Sequence, residues 1–190
     1  MTEEYEVKRR DILEGASEVF VRRGFAAGTT KEIAAEVGLS QPAIYHYVGS
    51  KADLLREIAL QVDRDMLAAL DTGMASSDDP AVQLRNVLHA YTAAVVHDRR
   101  SFAVFWQELH SMEPGVREKI AADERDFVVK VGGLIQDLQE RGQMPEGPPL
   151  LMARAILSMP SWMYHWYRPS GSLEAKGIAD IYCRLIGLDM

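Results

Sequence analysis

Residues 29–51 decide the fold of this chain, and their sequence is TTKEIAAEVGLSQPAIYHYVGSK. Thr29 and Glu32 have the spacing of a capping box, which predicts that a helix begins after Thr29. Gly38 predicts the end of that helix, and Pro42 is tolerated in the first turn of a second one. Two short helices joined by a tight turn can place one helix in the major groove of DNA.

Two residues are candidates for the N-cap of the second helix. Either Ser40 or Gln41 can cap it, since Pro42 disfavours helical backbone at the residue before it. Ile44 and Val48 lie four residues apart and are expected to face a small core. The same segment therefore supplies both the turn and the apolar contacts that would hold the second helix at a fixed angle.

Apolar residues recur at helical spacing along the rest of the chain, and no segment alternates with the period of a strand. The sequence therefore predicts an all-α protein. A first helix with an apolar face through Phe20 is expected to end near Gly24. Beyond the helix-turn-helix, further helices are predicted over residues 51–70, 81–96, 99–110, 114–141, 150–167 and 174–188.

The net charge of −7 does not by itself indicate a nucleic-acid binder. Residues 1–52 contribute −1 and the remainder −6, so most of the acidic excess lies outside the helix-turn-helix. Cys183 is the only cysteine in the sequence. No intrachain disulfide can therefore form, and a reduced, cytoplasmic setting is expected.

Polar side chains in the helix-turn-helix match the needs of a DNA-binding surface. Hydroxyl and ammonium groups can donate to phosphate oxygens, and Gln41, Ala43 and His46 near the start of the second helix can meet base edges. The predicted DNA-binding residues are Thr29, Thr30, Lys31, Ser40, Gln41, Pro42, Ala43, Tyr45, His46, Tyr47 and Lys51. Alternatively, the tyrosines pack against neighbours, and the lysines and the histidine are ordinary exposed residues.

The run from Thr30 to Leu55 resembles the N-terminal signature of the TetR family of bacterial repressors, because its core, turn, tyrosine and lysine positions agree together. The end of the preceding helix, Arg22–Phe25, is also similar, and the resemblance covers roughly residues 8–56. Tyr47-Val48 is a mild departure, since many members carry His-Phe or Tyr-Phe there.

This resemblance implies an all-α homodimer. Residues 1–52 would form a three-helix DNA-binding domain, and residues 53–190 a ligand-binding and dimerisation domain whose last two helices form a four-helix bundle with the partner subunit. The resemblance further implies a palindromic double-stranded DNA operator, from which a small ligand releases the protein. The helix that begins at Lys51 would be the lever between the domains.

Large apolar side chains, many of them aromatic, are concentrated in the second half of the chain and favour a lipophilic effector pocket. The predicted ligand-binding residues are Tyr91, Phe102, Phe105, Trp106, Leu109, His110, Met159, Trp162, Met163 and Trp166. Any one of them can instead belong to the core or to a subunit interface. Trp166–Gly171 is similar to a feature of TetR-like regulators of steroid and acyl-CoA catabolism, which favours an acyl-CoA or another lipophilic catabolite. Arg99, Arg100 or Arg168 would then meet its phosphate or carboxylate.

Motifs for catalysis are missing from the sequence. It contains no Gly-x-Ser-x-Gly nucleophile elbow and no dinucleotide fingerprint. Histidines His89, His97, His110 and His165 lack the spacing of a metal site. We therefore predict a protein that is not an enzyme and has no cofactor or metal. A carrier of small lipophilic molecules is the alternative, but it would not need the polar helix-turn-helix.

Overall fold

The computed structural model describes residues 3–188, and the regular elements in this range are all helices. The all-α prediction is therefore confirmed. The α-helices in the described range are α1 (Glu3–Ala27), α2 (Thr30–Glu36), α3 (Gln41–Tyr47), α4 (Lys51–Met74), α5 (Pro80–His97), α6 (Arg99–Glu108), α7 (Pro114–Glu140), α8 (Pro149–Ser161), α9 (Met163–Trp166) and α10 (Ala175–Leu185). A 3-10 turn at Leu109–Ser111 follows α6.

The helices divide into two compact units. Within the described residues, unit 1 contains the chain up to Val62 together with Arg100–Ile120, and unit 2 contains Asp63–Arg99 and the chain from Ala121 onward. Helices α4 and α7 therefore each begin in unit 1 and end in unit 2. The predicted domain boundary after residue 52 falls inside α4 and stays a prediction.

A small apolar core holds the first three helices of unit 1 together. Most of the residues expected to face it are buried, namely Ile12, Ala16, Val19, Phe20, Ile33, Ala34, Ile44 and Val48. Three others expected there are only half-buried, namely Leu13, Val37 and Leu39. Gly24 interrupts α1 with a φ of 76°. Phe25 then folds back, so that its ring centroid lies 5.4 Å from that of Phe20. The apolar spacing of the sequence thus identified the core of the helix-turn-helix.

Gly38 allows the chain to turn between α2 and α3. Its φ of 67° lies in the left-handed region, which glycine adopts without the steric cost that a Cβ brings. Ser40 is the N-cap of α3, because its side-chain oxygen accepts a hydrogen bond from the Ala43 N–H at 3.3 Å. The choice that the sequence left open is therefore resolved, and Gln41 is the first residue of the helix.

Polar contacts join α6 to α1 within unit 1. The hydroxyls of Ser17 and Ser101 form a buried hydrogen bond of 3.0 Å. Just after the interruption of α1, the Phe25 N–H donates to a carboxylate oxygen of Glu108 at 2.9 Å. These residues are 84 and 83 positions apart in the sequence, so α6 is held at both its ends against α1 by contacts that are distant along the chain.

In unit 2, α5 contacts α8, α9 and α10. Between α5 and α10, His89 Nε2 lies 3.1 Å from a carboxylate oxygen of Asp180. The Tyr182 hydroxyl donates to the Met159 carbonyl at 3.2 Å and so joins α10 to α8. Helix α5 therefore anchors α8 and α10, the two longer of the last three helices.

Helix α4 continues to Met74, beyond its predicted end at Leu70. The glycine and the polar residues that follow it had indicated a linker from residue 72 onward. A Cβ at Gly73 would lie 2.5 Å from the backbone nitrogen of Val87, so this glycine permits a close approach of α4 and α5. The glycine marks a contact between helices and not the end of one.

The single helix predicted over residues 150–167 is wrong, because the structure has two helices, α8 and α9, that meet at Trp162. Pro160 lies in the last turn of α8. Proline has no N–H to donate, and its ring clashes with the carbonyl one turn earlier. The aromatic run Trp162–Tyr167 is carried by a separate short helix and its flanks.

Candidate DNA-binding and effector sites

Reciprocal hydrogen bonds between Thr29 and Glu32 hold the start of α2. Thr29 Oγ1 accepts from the Glu32 N–H at 3.2 Å, and the Glu32 carboxylate accepts from the Thr29 N–H at 2.9 Å. Hydrogen bonds from the Thr29 side chain and backbone lower the pKa of Glu32. The predicted capping box is confirmed, and it fixes the helix against which α3 packs.

Three of the predicted DNA-binding residues form one polar cluster between α2 and α3. Gln41 Nε2 donates to Thr30 Oγ1 at 2.8 Å, and that oxygen lies 3.1 Å from the Tyr45 hydroxyl. Thr30 is buried, whereas Gln41 and Tyr45 are exposed. Thr30 therefore holds the other two side chains in place from the interior. The sequence had predicted Thr30 as a DNA contact and did not indicate this supporting role.

The other predicted DNA-binding residues differ in exposure. The exposed members of the whole predicted set are Thr29, Lys31, Ser40, Gln41, Pro42, Tyr45 and His46. Ala43, Tyr47 and Lys51 are half-buried. Unit 1 thus presents most of the predicted set to solvent along α2, the turn and α3.

Lys51 makes contacts that the sequence did not predict. Its ammonium donates to three backbone carbonyls at 2.7, 3.3 and 2.9 Å, those of Phe25, Ala26 and Gly28. Its Nζ also lies 4.6 Å from the centroid of the Phe25 ring. Because an ammonium has three N–H donors, these carbonyls use all of them. Lys51 caps the end of α1 from the start of α4, and the predicted phosphate contact competes with this role.

Tyr5 lies against the predicted DNA-binding residues at the end of α3, a contact that the sequence did not predict. Its ring centroid lies 5.0 Å from that of Tyr47 and 6.5 Å from that of His46, at the end of α3. A signal was present in the sequence, because Tyr5 precedes the core residue Ile12 by seven positions and so lies on the same face of a helix. The missing information was that α1 begins as early as Glu3.

The predicted effector residues fall into two groups. Phe102, Phe105, Trp106, Leu109 and His110 belong to unit 1, and Tyr91, Met159, Trp162, Met163 and Trp166 belong to unit 2. Neither unit by itself contains the predicted set. Some members of each group are buried and others are exposed, so the predicted residues do not share one degree of burial.

Tyr91 is buried in unit 2 with its polar end satisfied. Its hydroxyl lies 2.8 Å from Ser161 Oγ and donates to the Met66 sulfur at 3.3 Å. Its ring meets Phe127 edge-on, with the centroids 5.7 Å apart. Burial raises the pKa of Tyr91 to about 12. The phenol therefore stays neutral, and it serves as a polar group within an apolar interior.

Trp106 on α6 differs from its neighbours in one respect. Phe102 and Phe105 are buried in the core, whereas Trp106 is half-buried and packs edge-on against Phe105 with the ring centroids 5.1 Å apart. The Trp106 Nε1–H is buried and meets no acceptor within the described part of the chain. An unpaired buried donor is unfavourable, so a ligand that supplies an acceptor for this N–H would be bound more tightly.

Neither a metal-binding cluster nor a membrane-spanning helix is present within residues 3–188. No three or more histidine, cysteine, aspartate or glutamate side chains in that range are grouped so that they could hold a metal ion. None of the helices described has both the length and the apolar character that crossing a membrane requires.

A capped helix-turn-helix followed by further helices is the architecture of a DNA-binding transcriptional regulator. Residues 12–58 match the family described as "Bacterial regulatory proteins, tetR family", and residues 77–188 match "Tetracyclin repressor-like, C-terminal domain". The second match alone covers more than half of the chain. The chain belongs to the TetR family of ligand-responsive transcriptional regulators.

Individual relatives agree with this assignment. The TetR family regulator PfmR from Thermus thermophilus has a TM-score of 0.84 at 31% identity, over 93% of this chain and 96% of PfmR. The repressor KstR2 of Mycobacterium tuberculosis is 24% identical over 181 residues, which are 94% of this chain and 90% of KstR2. The crystal structure of AibR with isovaleryl coenzyme A and operator DNA shares the fold, with a TM-score of 0.76 at 23% identity over 95% of this chain and 98% of AibR.

Proposed function

We propose that this protein is a cytoplasmic, homodimeric repressor that binds a palindromic operator and leaves it when a lipophilic, acyl-CoA-type effector binds. The observation that carries the proposal is the exposed polar face of α3, held on a capped α2 by the Gln41–Thr30–Tyr45 cluster. Repression is favoured because the relative KstR2 is a repressor.

In this proposal the side chains at the surface of α2 and α3 have different roles in binding DNA. Gln41, Ala43 and His46 meet base edges, while Tyr45 and Lys31 bind phosphates. Thr30 holds Gln41 and Tyr45 in place, since its hydroxyl bonds to both. The first experiment selects a preferred sequence from random duplexes with the wild-type protein. Enrichment of a palindrome, bound more weakly as salt rises, is expected. Failure to enrich any sequence would contradict the proposal.

Gln41→Ala is expected to weaken binding to the selected operator by about 1–3 kcal/mol, because a bidentate contact to a base is lost. Binding to a random duplex is expected to stay unchanged, since no phosphate contact is removed. Both dissociation constants are measured side by side, with Lys31→Ala as the comparison variant. Equal losses on operator and random duplex for Gln41→Ala would show that Gln41 does not discriminate between bases.

The dimer interface is proposed to lie on α8 and α10. Large apolar side chains are exposed on both helices, with 64% of Leu151 and 71% of Leu185 accessible. A surface of this kind marks an interaction site when its members are contiguous. Two subunits joined through these helices would present two copies of α3, which requires an operator with two symmetric half-sites.

The effector is proposed to be an acyl-CoA or a related lipophilic catabolite. AibR was crystallised with isovaleryl coenzyme A, and KstR2 is a ketosteroid transcriptional regulator. The buried Trp106 Nε1–H offers a hydrogen bond to a carbonyl of such a ligand. Because α6 is bonded to α1 through Glu108 and Ser101, a ligand that moves α6 would also displace the DNA-binding helices.

Trp106→Phe is expected to weaken effector binding by about tenfold, because the indole donor is lost while an aromatic ring remains. Calorimetry with a panel of acyl-CoA thioesters, beginning with isovaleryl-CoA, measures this, and free coenzyme A serves as the control ligand. Operator affinity without effector is expected to stay at the wild-type value. Unchanged thioester affinity in the variant would exclude Trp106 from the effector site.

A further inference from the structure

The N-terminal turns of α1 lie against the end of α3. The Tyr5 ring is tilted by 34° relative to the Tyr47 ring at a centroid distance of 5.0 Å, and it meets the His46 ring nearly edge-on at 82°. His46 and Tyr47 are themselves edge-on to each other, 5.5 Å apart. The three rings therefore form one aromatic cluster, with one member from α1 and two from α3.

A hydrogen bond supplements the ring contacts. The Tyr5 hydroxyl donates to the Tyr47 carbonyl at 3.3 Å, across 42 residues of sequence. Tyr47 is the last residue of α3, and the final carbonyls of a helix have no partner within the helix. Tyr5 thus provides a partner for one of these carbonyls and limits fraying of the last turn.

The segment that carries Tyr5 is itself tied down. An Arg9 guanidinium nitrogen lies 2.8 Å from a carboxylate oxygen of Glu57 on α4, and both side chains are largely shielded from solvent, at 34% and 20% exposure. The ion pair joins the start of α1 to α4, which places Tyr5 on a support that does not depend on α3. If the end of α3 moved relative to α1, the contacts of Tyr5 with His46 and Tyr47 would therefore be broken.

The helix α3 needs such support because it has only 7 residues. Isolated helices of that length are not stable in water, so tertiary contacts set the direction of α3. Ile44 and Val48 are buried and fix the inner side of the helix. His46 lies on the exposed side of the helix, and its ring faces the Tyr5 ring.

We propose that Tyr5 is a positioning residue for DNA recognition, which fixes the last turn of α3 and thereby the direction of His46. This inference rests on the proposed DNA-binding function of α3. Tyr5 acts through the two aromatic side chains of α3 and contacts no base itself. It therefore contributes to the preference for operator over other DNA more than to the affinity for DNA in general.

Two variants test this role, and the sequence selected by the wild-type protein serves as operator. Tyr5→Leu, which removes ring and hydroxyl, is expected to weaken operator binding by about tenfold. Tyr5→Phe keeps the ring and is expected to lose only about threefold, from the hydrogen bond alone. In both variants the random-duplex affinity and the slope of log K against log salt stay at wild-type values, because no phosphate contact is removed.

Val7→Ala is the control variant, since Val7 lies in the same segment of α1 with 47% of its surface exposed and is expected to bind as wild type does. Thermal unfolding checks that each variant is folded. If Tyr5→Leu does not fold, the result for Tyr5→Phe alone tests the proposal. Wild-type operator affinity in the folded Tyr5 variants would overturn the proposal. Equal losses on operator and random duplex with a shallower salt slope would overturn it too, and would make Tyr5 a phosphate contact. A wild-type protein that selects no sequence would instead refute the proposed function.

Discussion

Replacing Lys51 with methionine is expected to lower the free energy of unfolding by about 2 kcal/mol, since hydrogen bonds from a charged donor to backbone carbonyls are lost. The ammonium holds the carbonyls of Phe25, Ala26 and Gly28 and lies over the Phe25 ring. Methionine fills a similar volume but donates nothing, so the end of α1 and the start of α4 would separate more easily. Urea denaturation followed by circular dichroism measures the change.

Operator binding separates this capping role from the phosphate contact that the sequence suggested. A capping lysine affects binding through the orientation of the helix-turn-helix, so the dependence on salt keeps its wild-type slope. A phosphate contact, once removed, reduces that slope by about one unit. Lys31→Met is the matched comparison, because Lys31 is exposed and is expected to show the opposite pattern, with stability unchanged and slope reduced. A stable Lys51→Met variant with a reduced slope would make Lys51 a phosphate ligand.

Local chemistry was sufficient to predict the centre of the helix-turn-helix. The capping box at Thr29 depends on two residues three positions apart, and the turn at Gly38 depends on one residue that tolerates a positive φ. The buried positions Ile44 and Val48 follow from the period of a helix. Each of these features is determined by neighbours in the sequence, and for that reason each could be recognised without a structure.

Features that depend on distant neighbours were harder to predict. The same lysine at position 51 would suit a phosphate or a set of carbonyls, and only the proximity of the α1 end to the α4 start favours the second. A glycine such as Gly73 often marks the end of a helix, yet here its lack of a side chain allows Val87 to approach closely. Pro160 is a different case, because the prediction of one helix over residues 150–167 followed the continuous apolar pattern and took no account of this proline.

Leu151→Glu is expected to convert the proposed dimer into a monomer and to weaken operator binding by about 100-fold or more. Leu151 on α8 is 64% exposed in the single chain, and in the proposed dimer it would be buried against the partner subunit. A carboxylate buried there without a partner costs several kcal/mol. A monomer binds one half-site only and loses the effective concentration that two linked recognition helices provide. Sedimentation velocity at micromolar concentration measures the association state, and Leu185→Glu on α10 is expected to behave in the same way.

Val129→Glu is the matched control for this experiment. Val129 on α7 is also a large exposed apolar residue, at 57%, but it lies outside the two helices proposed to form the interface. The same change of apolar side chain to carboxylate there is expected to leave both the dimer and the operator affinity intact. Dissociation by Val129→Glu but not by Leu151→Glu would move the interface to α7. A protein that stays dimeric with Leu151→Glu and Leu185→Glu combined would exclude α8 and α10 as the contact, because two buried carboxylates in each subunit exceed what an interface of apolar side chains can accommodate.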